Sequence, residues 1–459
     1  MELIDLVRLD ATALANQIQA GQITAVELVE ATLERIAEVD PQVNAFRVVM
    51  GDAALADAAR IDALPDTERR RLALAGVPIA IKDDTDVAGQ STTWGTGIDR
   101  GVCSTDAKVV RRLRDAGAII IGKTNVPELT LWPWTSSKTW GVTRNPWDFD
   151  RTPGGSSGGS AAAVCSGMAA MALGSDGGGS IRYPAGLTGL FGLKPQRGRL
   201  PLGDEHGSGW HGLVTLGPLT RSVRDVALFM DTAAEPTDGR RFTDAIQHTD
   251  RPMRIALSTN PPPGTQVSVS DENRRIVDTT GELLTQLGHT VSEARIDYGL
   301  PTLWNSTVRL LKGAQHDVAS LPCRDQLEAR TRAVARLGRM LPERALRLAL
   351  ANERAITDST NRVFDTADII VTPLCASPAP LLSLCPSRGA FRSLRAANTS
   401  ARLVPWNLSG QPALTVPIGM NGKLPTAVQL VAAPNDEATL LATAAQIEQH
   451  RPTPRLPGS

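Results

Sequence analysis

Apolar residues recur at helical spacing through residues 10–41, first at Leu14 and Ile18, then along Ala25-Val26-Glu27-Leu28-Val29-Glu30-Ala31-Thr32-Leu33-Glu34-Arg35-Ile36. Thr24 is placed to cap the second of these helices, and Asp40-Pro41 reads as its stop. A third helix is predicted from Asp52 to Leu64, so residues 1–65 read as a helical layer whose apolar face must dock elsewhere. The period then changes. Val77 to Ile81 is short, apolar and β-branched, which predicts a strand with Lys82 at its polar end. Val109 to Ala116 follows as a helix and Ala118 to Gly122 as a buried strand. The same alternation returns at Arg254–Leu257 (strand), Asp271–Leu287 (helix) and His289–Val291 (strand). Residues 300–365 are mostly helical and arginine-rich, and Asp368–Pro373 is again a strand. Ala413–Pro417 and Ala427–Val431 are strands on either side of the turn pair Asn421-Gly422, and Asp436–Gln449 is a final helix.

Alternating strands and helices at both ends of the chain predict one large α/β/α domain, with a central mixed β-sheet covered by helices on both faces. The expected division is the helical layer at 1–65 and a core at 66–459, with a variable, largely helical insertion at about 235–365 covering the site.

Composition narrows the classes. The chain has 459 residues, 42% hydrophobic and 21% charged, as an ordinary globular protein does. Lys plus Arg equals Asp plus Glu, 48 against 48, which leaves no basic footprint for nucleic acid or an anionic membrane. Charges interrupt every apolar run of the first ten residues, so no secretory leader is expected. The weakly polar stretch from Ser160 to Gly174 falls short of a membrane span. Cys103, Cys165, Cys323, Cys375 and Cys385 form an odd set without a CxxC pair, the pattern of reduced thiols in a cytoplasmic protein. His206, His211, His248, His289, His316 and His450 are scattered, so no metal site and no cofactor is expected.

One stretch changes the picture. Gly154-Gly155-Ser156-Ser157-Gly158-Gly159-Ser160 and Gly174-Ser175-Asp176-Gly177-Gly178-Gly179-Ser180-Ile181-Arg182-Tyr183-Pro184 read as two tight loops joined by one short buried helix. A phosphate loop needs a lysine before Ser or Thr at the helix start, and none is there. Helix packing alone accounts for Gly167 and Gly174 but not for so many hydroxyls and glycines together. A hydrolase site accounts for both. Ser180 would attack from an open turn, with the amides of Gly177, Gly178, Gly179 and Ser180 converging on the developing oxyanion. There is no GxSxG elbow and no nearby histidine, so a Ser-His-Asp mechanism has poor support.

Several motifs follow one another in order: Gly76-Val77-Pro78-Ile79-Ala80-Ile81-Lys82-Asp83, Gly122-Lys123-Thr124-Asn125-Val126-Pro127-Glu128, the two glycine-serine loops, Gly192-Leu193-Lys194-Pro195 and Leu424-Pro425-Thr426-Ala427-Val428-Gln429-Leu430-Val431. This series resembles that of the amidase signature family, over about residues 10–450. The resemblance implies a Ser-cisSer-Lys triad: Ser180 as nucleophile, Ser156 as bridging serine 24 residues before it, and Lys82 as base. Ser157 is expected to support the lysine by a hydrogen bond, and Asp176 and Arg182 to pair and pin the nucleophile loop. A neutral lysine is needed, and deprotonating one at about pH 7.5 costs roughly 4 kcal/mol. Lys82 is therefore expected to be enclosed and to touch Ser156. The chain departs from the family pattern at Gly177 (commonly Thr), at Asp84 (commonly Asn) and at Tyr183 (commonly Ile).

Trp132, Trp134, Trp140 and Trp147 crowd sixteen residues of a chain that is only 4% aromatic. Core packing explains such a group as readily as substrate binding. In the family this segment borders the acyl side of the site, so Trp132, Trp134 and Tyr183 are the expected pocket. The expected activity is hydrolysis of C–N bonds in apolar or aryl amides, with carbamates (urethanes) and esters open to the same acyl- or carbamoyl-enzyme route, in a monomer or homodimer. The rival implied by the same motifs is the A component of an amidotransferase, working with partners on charged tRNA.

Overall fold

The computed structural model describes residues 3–235, 241–247, 251–265, 269–375, 378–385, 389–451, 454, 456 and 457. His248 lies outside them. Thirteen strands are present among the described residues: β1 (Phe46–Val49), β2 (Pro78–Lys82), β3 (Ile119–Thr124), β4 (Ser136–Ser137), β5 (Gly141–Val142), β6 (Met171–Asp176), β7 (Phe191–Lys194), β8 (Thr215–Thr220), β9 (Arg254–Leu257), β10 (Thr290–Glu293), β11 (Ile369–Pro373), β12 (Ala413–Asn421) and β13 (Leu424–Ala432). Eleven form one sheet in the order β1-β3-β2-β6-β8-β7-β12-β13-β11-β9-β10, and β4 pairs with β5 apart from it.

The sheet is mixed. β3, β2 and β6 run parallel to one another, as do β11, β9 and β10, while β6-β8-β7-β12-β13-β11 pair antiparallel. Every residue of β2, β3, β6, β8 and β11 is buried. Successive side chains of a strand point to opposite faces, so both faces of the sheet are covered, as the expected α/β/α layering requires.

The predicted elements fall close to their places, with instructive exceptions. Thr24 closes a capping box with Glu27, and that helix runs Ala25–Val43, through Pro41. Asp40-Pro41 is thus not the stop. The helix ends where Asn44 turns left-handed (φ 56°), and the Asp40 carboxylate receives the Ala45 amide at 2.6 Å. Phe46–Val49, within the expected helical layer, joins the sheet edge beside β3.

Between the two glycine-serine loops there is more than a helix. The helix Gly158–Cys165 is followed by β6, near the middle of the sheet. Met-Ala-Leu-Gly-Ser-Asp has little intrinsic strand preference; its neighbours impose the conformation. A Cβ at Gly174 would lie 2.7 Å from Leu219 Cδ1, and one at Gly217 would lie closer still to the Leu193 carbonyl. The small residues let three strands approach.

The helices from Thr302 to Asn361 pack among themselves and onto the Trp94–Trp132–Trp134–Trp210 cluster through Ala314, Val318, Val334, Ala335 and Ile356. Among the described residues no helix is long and apolar enough to cross a membrane. No disulfide joins any of the five cysteines.

Candidate active site

Lys82 is the last residue of β2, and Ser156 lies in the loop entering the helix Gly158–Cys165. The two strands and the helix meet because small residues allow it: a Cβ on Gly159 would lie 2.5 Å from the Asn125 carbonyl oxygen, beside β3. Thr124 Oγ1 and Ser160 Oγ share a hydrogen bond of 2.7 Å across the same seam. This is what the Gly-Lys-Thr-Asn and glycine-serine motifs accomplish together.

The peptide between Gly155 and Ser156 is cis. Lys82 Nζ donates to Ser156 Oγ at 2.7 Å, to Ser175 Oγ at 2.7 Å and to the Ser175 carbonyl at 3.2 Å, and stands 3.3 Å from Asp84 Oδ2. Lys82 has no exposed surface. Burial pushes its pKa below the ordinary lysine value, opposed by the Asp84 carboxylate.

Ser180 follows β6 and is half-buried, unlike the fully enclosed lysine. Its carbonyl accepts the Ser157 amide at 3.2 Å, which fastens the Ser180 loop to the cis-peptide loop. Ser157 does not hold the lysine as expected. Its hydroxyl donates to the Ser175 carbonyl at 3.2 Å, and the lysine's extra serine partner is Ser175. The expected set of oxyanion donors is also reduced by one, because the Gly179 amide is engaged by Asp176 Oδ1 at 2.6 Å.

Asp176 and Arg182 do pair, Nε to Oδ2 at 2.9 Å, with neither side chain exposed. Burial would raise the Asp176 pKa, yet the Arg182 guanidinium and hydrogen bonds from Asn407 and Gly179 hold it well below the usual carboxylate range. Arg182 Nη1 reaches Gln429 Oε1 at 2.7 Å and the Leu403 carbonyl at 3.0 Å, Nη2 reaches Asn407 Oδ1 at 2.6 Å, and Asn407 Nδ2 returns to Asp176 Oδ1 at 2.8 Å. The Ser180 loop is therefore anchored by residues more than two hundred positions later.

Asp83, next to the lysine, looks the other way. Arg47 Nε and Lys123 Nζ both stand 3.0 Å from its Oδ1, and Thr93 Oγ1 donates to its Oδ2. That pins the loop carrying Trp94.

The four tryptophans near in sequence part in space. Trp132 and Trp134 stack with ring centroids 5.6 Å apart, buried, under the Arg330 guanidinium at 5.1 and 5.7 Å. Their backbone lies against Gly155, where a Cβ would come within 2.7 Å of the Trp132 carbonyl. Trp140 donates to the Thr96 carbonyl and Trp147 to the Thr188 carbonyl, both away from that pair. Tyr183 is buried in a separate cluster with Leu187, Leu374, Ala379 and Leu403. Around the Ser180 loop, Trp210 and Val214 approach Gly177, and Leu403 and Val404 approach Gly179 and Gly178. Trp210 takes a left-handed conformation (φ 50°) that no sequence pattern marked. Among the described residues no group of three or more His, Cys, Asp or Glu side chains is arranged to hold a metal ion.

One mixed eleven-stranded sheet covered by helices on both faces is the α/β architecture on which Lys82, Ser156 and Ser180 are brought to one region. The Amidase family model matches residues 27–441, and the chain belongs to that family. AmiB2 of Mycobacterium tuberculosis (strain ATCC 25618 / H37Rv), which carries an amidase name, is 46% identical over 458 residues, covering 98% of each chain. The A component of the glutamyl-tRNA(Gln) amidotransferase of Carboxydothermus hydrogenoformans is 32% identical, covering 99% of this chain and 100% of that one. Among solved structures, 6-aminohexanoate cyclic dimer hydrolase bound to substrate superimposes with a TM-score of 0.89 at 28% identity, over 97% of this chain and 98% of that one. The protein is an amidase-family enzyme acting on C–N bonds.

Proposed function

We propose that Ser180, Ser156 and Lys82 form the catalytic triad of an amide hydrolase working through an acyl-enzyme. The observation that carries this reading is the enclosed Lys82 Nζ, 2.7 Å from Ser156 Oγ, in a loop tied directly to Ser180. Ser180 Oγ attacks the substrate carbonyl carbon. Its proton passes to Ser156 Oγ, whose own proton passes to Lys82 Nζ. The amides of Gly177, Gly178 and Ser180 remain as donors to the oxyanion, each worth about 2.7–4 kcal/mol. Collapse of the tetrahedral intermediate breaks the C–N bond, and the relay run backwards protonates the leaving amine. Water then releases the acid by the same path.

The substrate proposed is a small apolar or aryl amide, met by the apolar side of the nucleophile loop at Trp210, Leu403 and Val404 and bordered by the Trp132–Trp134 pair. Carbamates and esters are open to the same chemistry, through a carbamoyl- or acyl-enzyme. The helices within 300–365 cover this side of the molecule through their contacts with the tryptophan cluster. Cysteines without disulfides suit a reduced, cytoplasmic setting, as a monomer or homodimer.

Assaying an anilide, a primary amide and a carbamate side by side, with mass spectrometry for an adduct on Ser180, tests the reading. No turnover of any of the three would sink it. The similarity to the amidotransferase component favours a second reading, in which the chain passes ammonia to partner proteins. Turnover by the chain alone, at its own elution volume in size exclusion, would remove that alternative.

A further inference from the structure

Three buried carboxylates, Asp83, Asp84 and Asp176, lie on the segments that carry and flank Lys82, and two are already satisfied by other cations. Asp83 faces Arg47 and Lys123, and Asp176 faces Arg182. Among the described residues, Asp84 has a single cationic side chain against it, Lys82 at 3.3 Å. It is completely buried, and Ser175 Oγ bridges the two, accepting from Lys82 Nζ at 2.7 Å and donating to Asp84 Oδ2 at 2.5 Å. Thr85 Oγ1 donates to the other carboxylate oxygen at 3.2 Å. The remaining titratable groups near this carboxylate are His206 and Glu205, on the short turn Asp204–His206, and Asp86, on its own loop. His206, closed in against the edge of Trp94, has its pKa lowered by burial, with the Asp84 carboxylate opposing. If Lys82 were neutral at every stage, Asp84 would be a buried anion with no charged lysine or arginine against it, an expensive arrangement.

We propose that Asp84 is the counter-ion of the ammonium that Lys82 becomes when the relay delivers the Ser180 proton, with Ser175 as the bridge between them. Asp84 is then a positioning residue that acts through Lys82. It stabilises the charge at the far end of the relay and sets the pH at which the base becomes free. The inference rests on Lys82 being the base proposed above. In the step itself the O–H bond of Ser156 breaks and an N–H bond forms on Lys82, while the Ser180 proton replaces the one Ser156 gave up. Asp84 gains and loses no proton. Asn at this position keeps the shape and loses the charge, so it separates electrostatics from packing.

The test is the pH profile of kcat/KM for the wild type and Asp84→Asn, read from turnover and from the rate at which a fluorophosphonate labels Ser180, so that a slow variant is still measured. With the anion gone the ammonium is less stable. The acid limb should move about one to three pH units toward lower pH, the range an opposite charge at this separation produces, and the plateau should fall. A limb that stays in place under a lowered plateau, or moves upward, overturns the proposal. Ser175→Ala should shift the limb in the same direction by less, and it decides the matter should Asp84→Asn fail to fold. Lys82→Ala and Ser180→Ala run alongside. Activity surviving in either overturns the triad and this inference together, whereas two inactive variants beside an unmoved Asp84→Asn limb overturn only the role of Asp84.

Discussion

Lys82 Nζ and Ser156 Oγ stand 2.7 Å apart although 74 residues separate them in the chain, and neither is reached by solvent. Half-buried Ser180 joins this pair through a backbone bond between the loops. In the proposed relay the Ser180 end is the more open and the Lys82 end is sealed, so substitutions at the two ends should act differently.

Ser180→Ala should reduce turnover by on the order of a thousandfold or more and abolish fluorophosphonate labelling. Its melting temperature should stay close to that of the wild type, because only a half-buried hydroxyl is lost. Retained activity in a folded variant refutes the assignment.

The wild-type kcat/KM should rise with pH along an acid limb, since only unprotonated Lys82 accepts the relay proton. Burial lowers the lysine from its ordinary value, so the limb should centre below about pH 10.4. A profile flat from mildly acid to alkaline pH would exclude Lys82 as the base.

Arg182→Met should lower stability by about 3–5 kcal/mol, because it leaves Asp176 buried without its cation. Denaturant titration measures this directly. A loss below about 1 kcal/mol would mean that Asn407 and the loop amides suffice to hold the carboxylate.

Gly155→Ala should be destabilised by about 1–3 kcal/mol and lose activity out of proportion. The new methyl would meet the Trp132 carbonyl oxygen and the Trp134 amide nitrogen, both at 2.7 Å, and displace Ser156 from Lys82. Wild-type activity in this variant would show that the loop tolerates that displacement.

Burial pushes Glu128 up to about 7, with Glu328 adding to the shift, and pushes Glu448 to about 7, with Asp225 and Asp10 adding to it. Each carboxyl binds its proton more tightly folded than unfolded, so its contribution is complete below about pH 4.5 and is lost as pH rises through about 7. The melting temperature should fall over that window, and Glu128→Gln with Glu448→Gln should flatten the decline. An unchanged slope in the double variant would place the titration elsewhere.

The chain's own pattern determined the strand and helix order well, because β2, β3, β11 and the helices at Ala25–Val43 and Asp271–Gln286 are specified by local periodicity and caps. The residues proposed to react, a lysine ending a strand and serines among glycines, were visible there as residue types, and the family resemblance supplied the roles proposed for them. What the pattern could not carry was how β6 enters the sheet. Alanine and glycine favour that strand only once β2 and β8 are alongside. For the same reason Ser175 went unmarked as a partner of the lysine: it becomes one only when β6 lies beside β2. The four neighbouring tryptophans form one group in the sequence, and packing divides them, with Arg330 from the distant helices covering two. Tertiary structure alone decided that Gly179 serves Asp176, that Asn407 and Gln429 hold Arg182, and that Asp84 shares its charge with Lys82. Those relationships join residues with no sequence periodicity in common, and they exist because burial leaves a charged or polar group no partner but the one the fold brings to it.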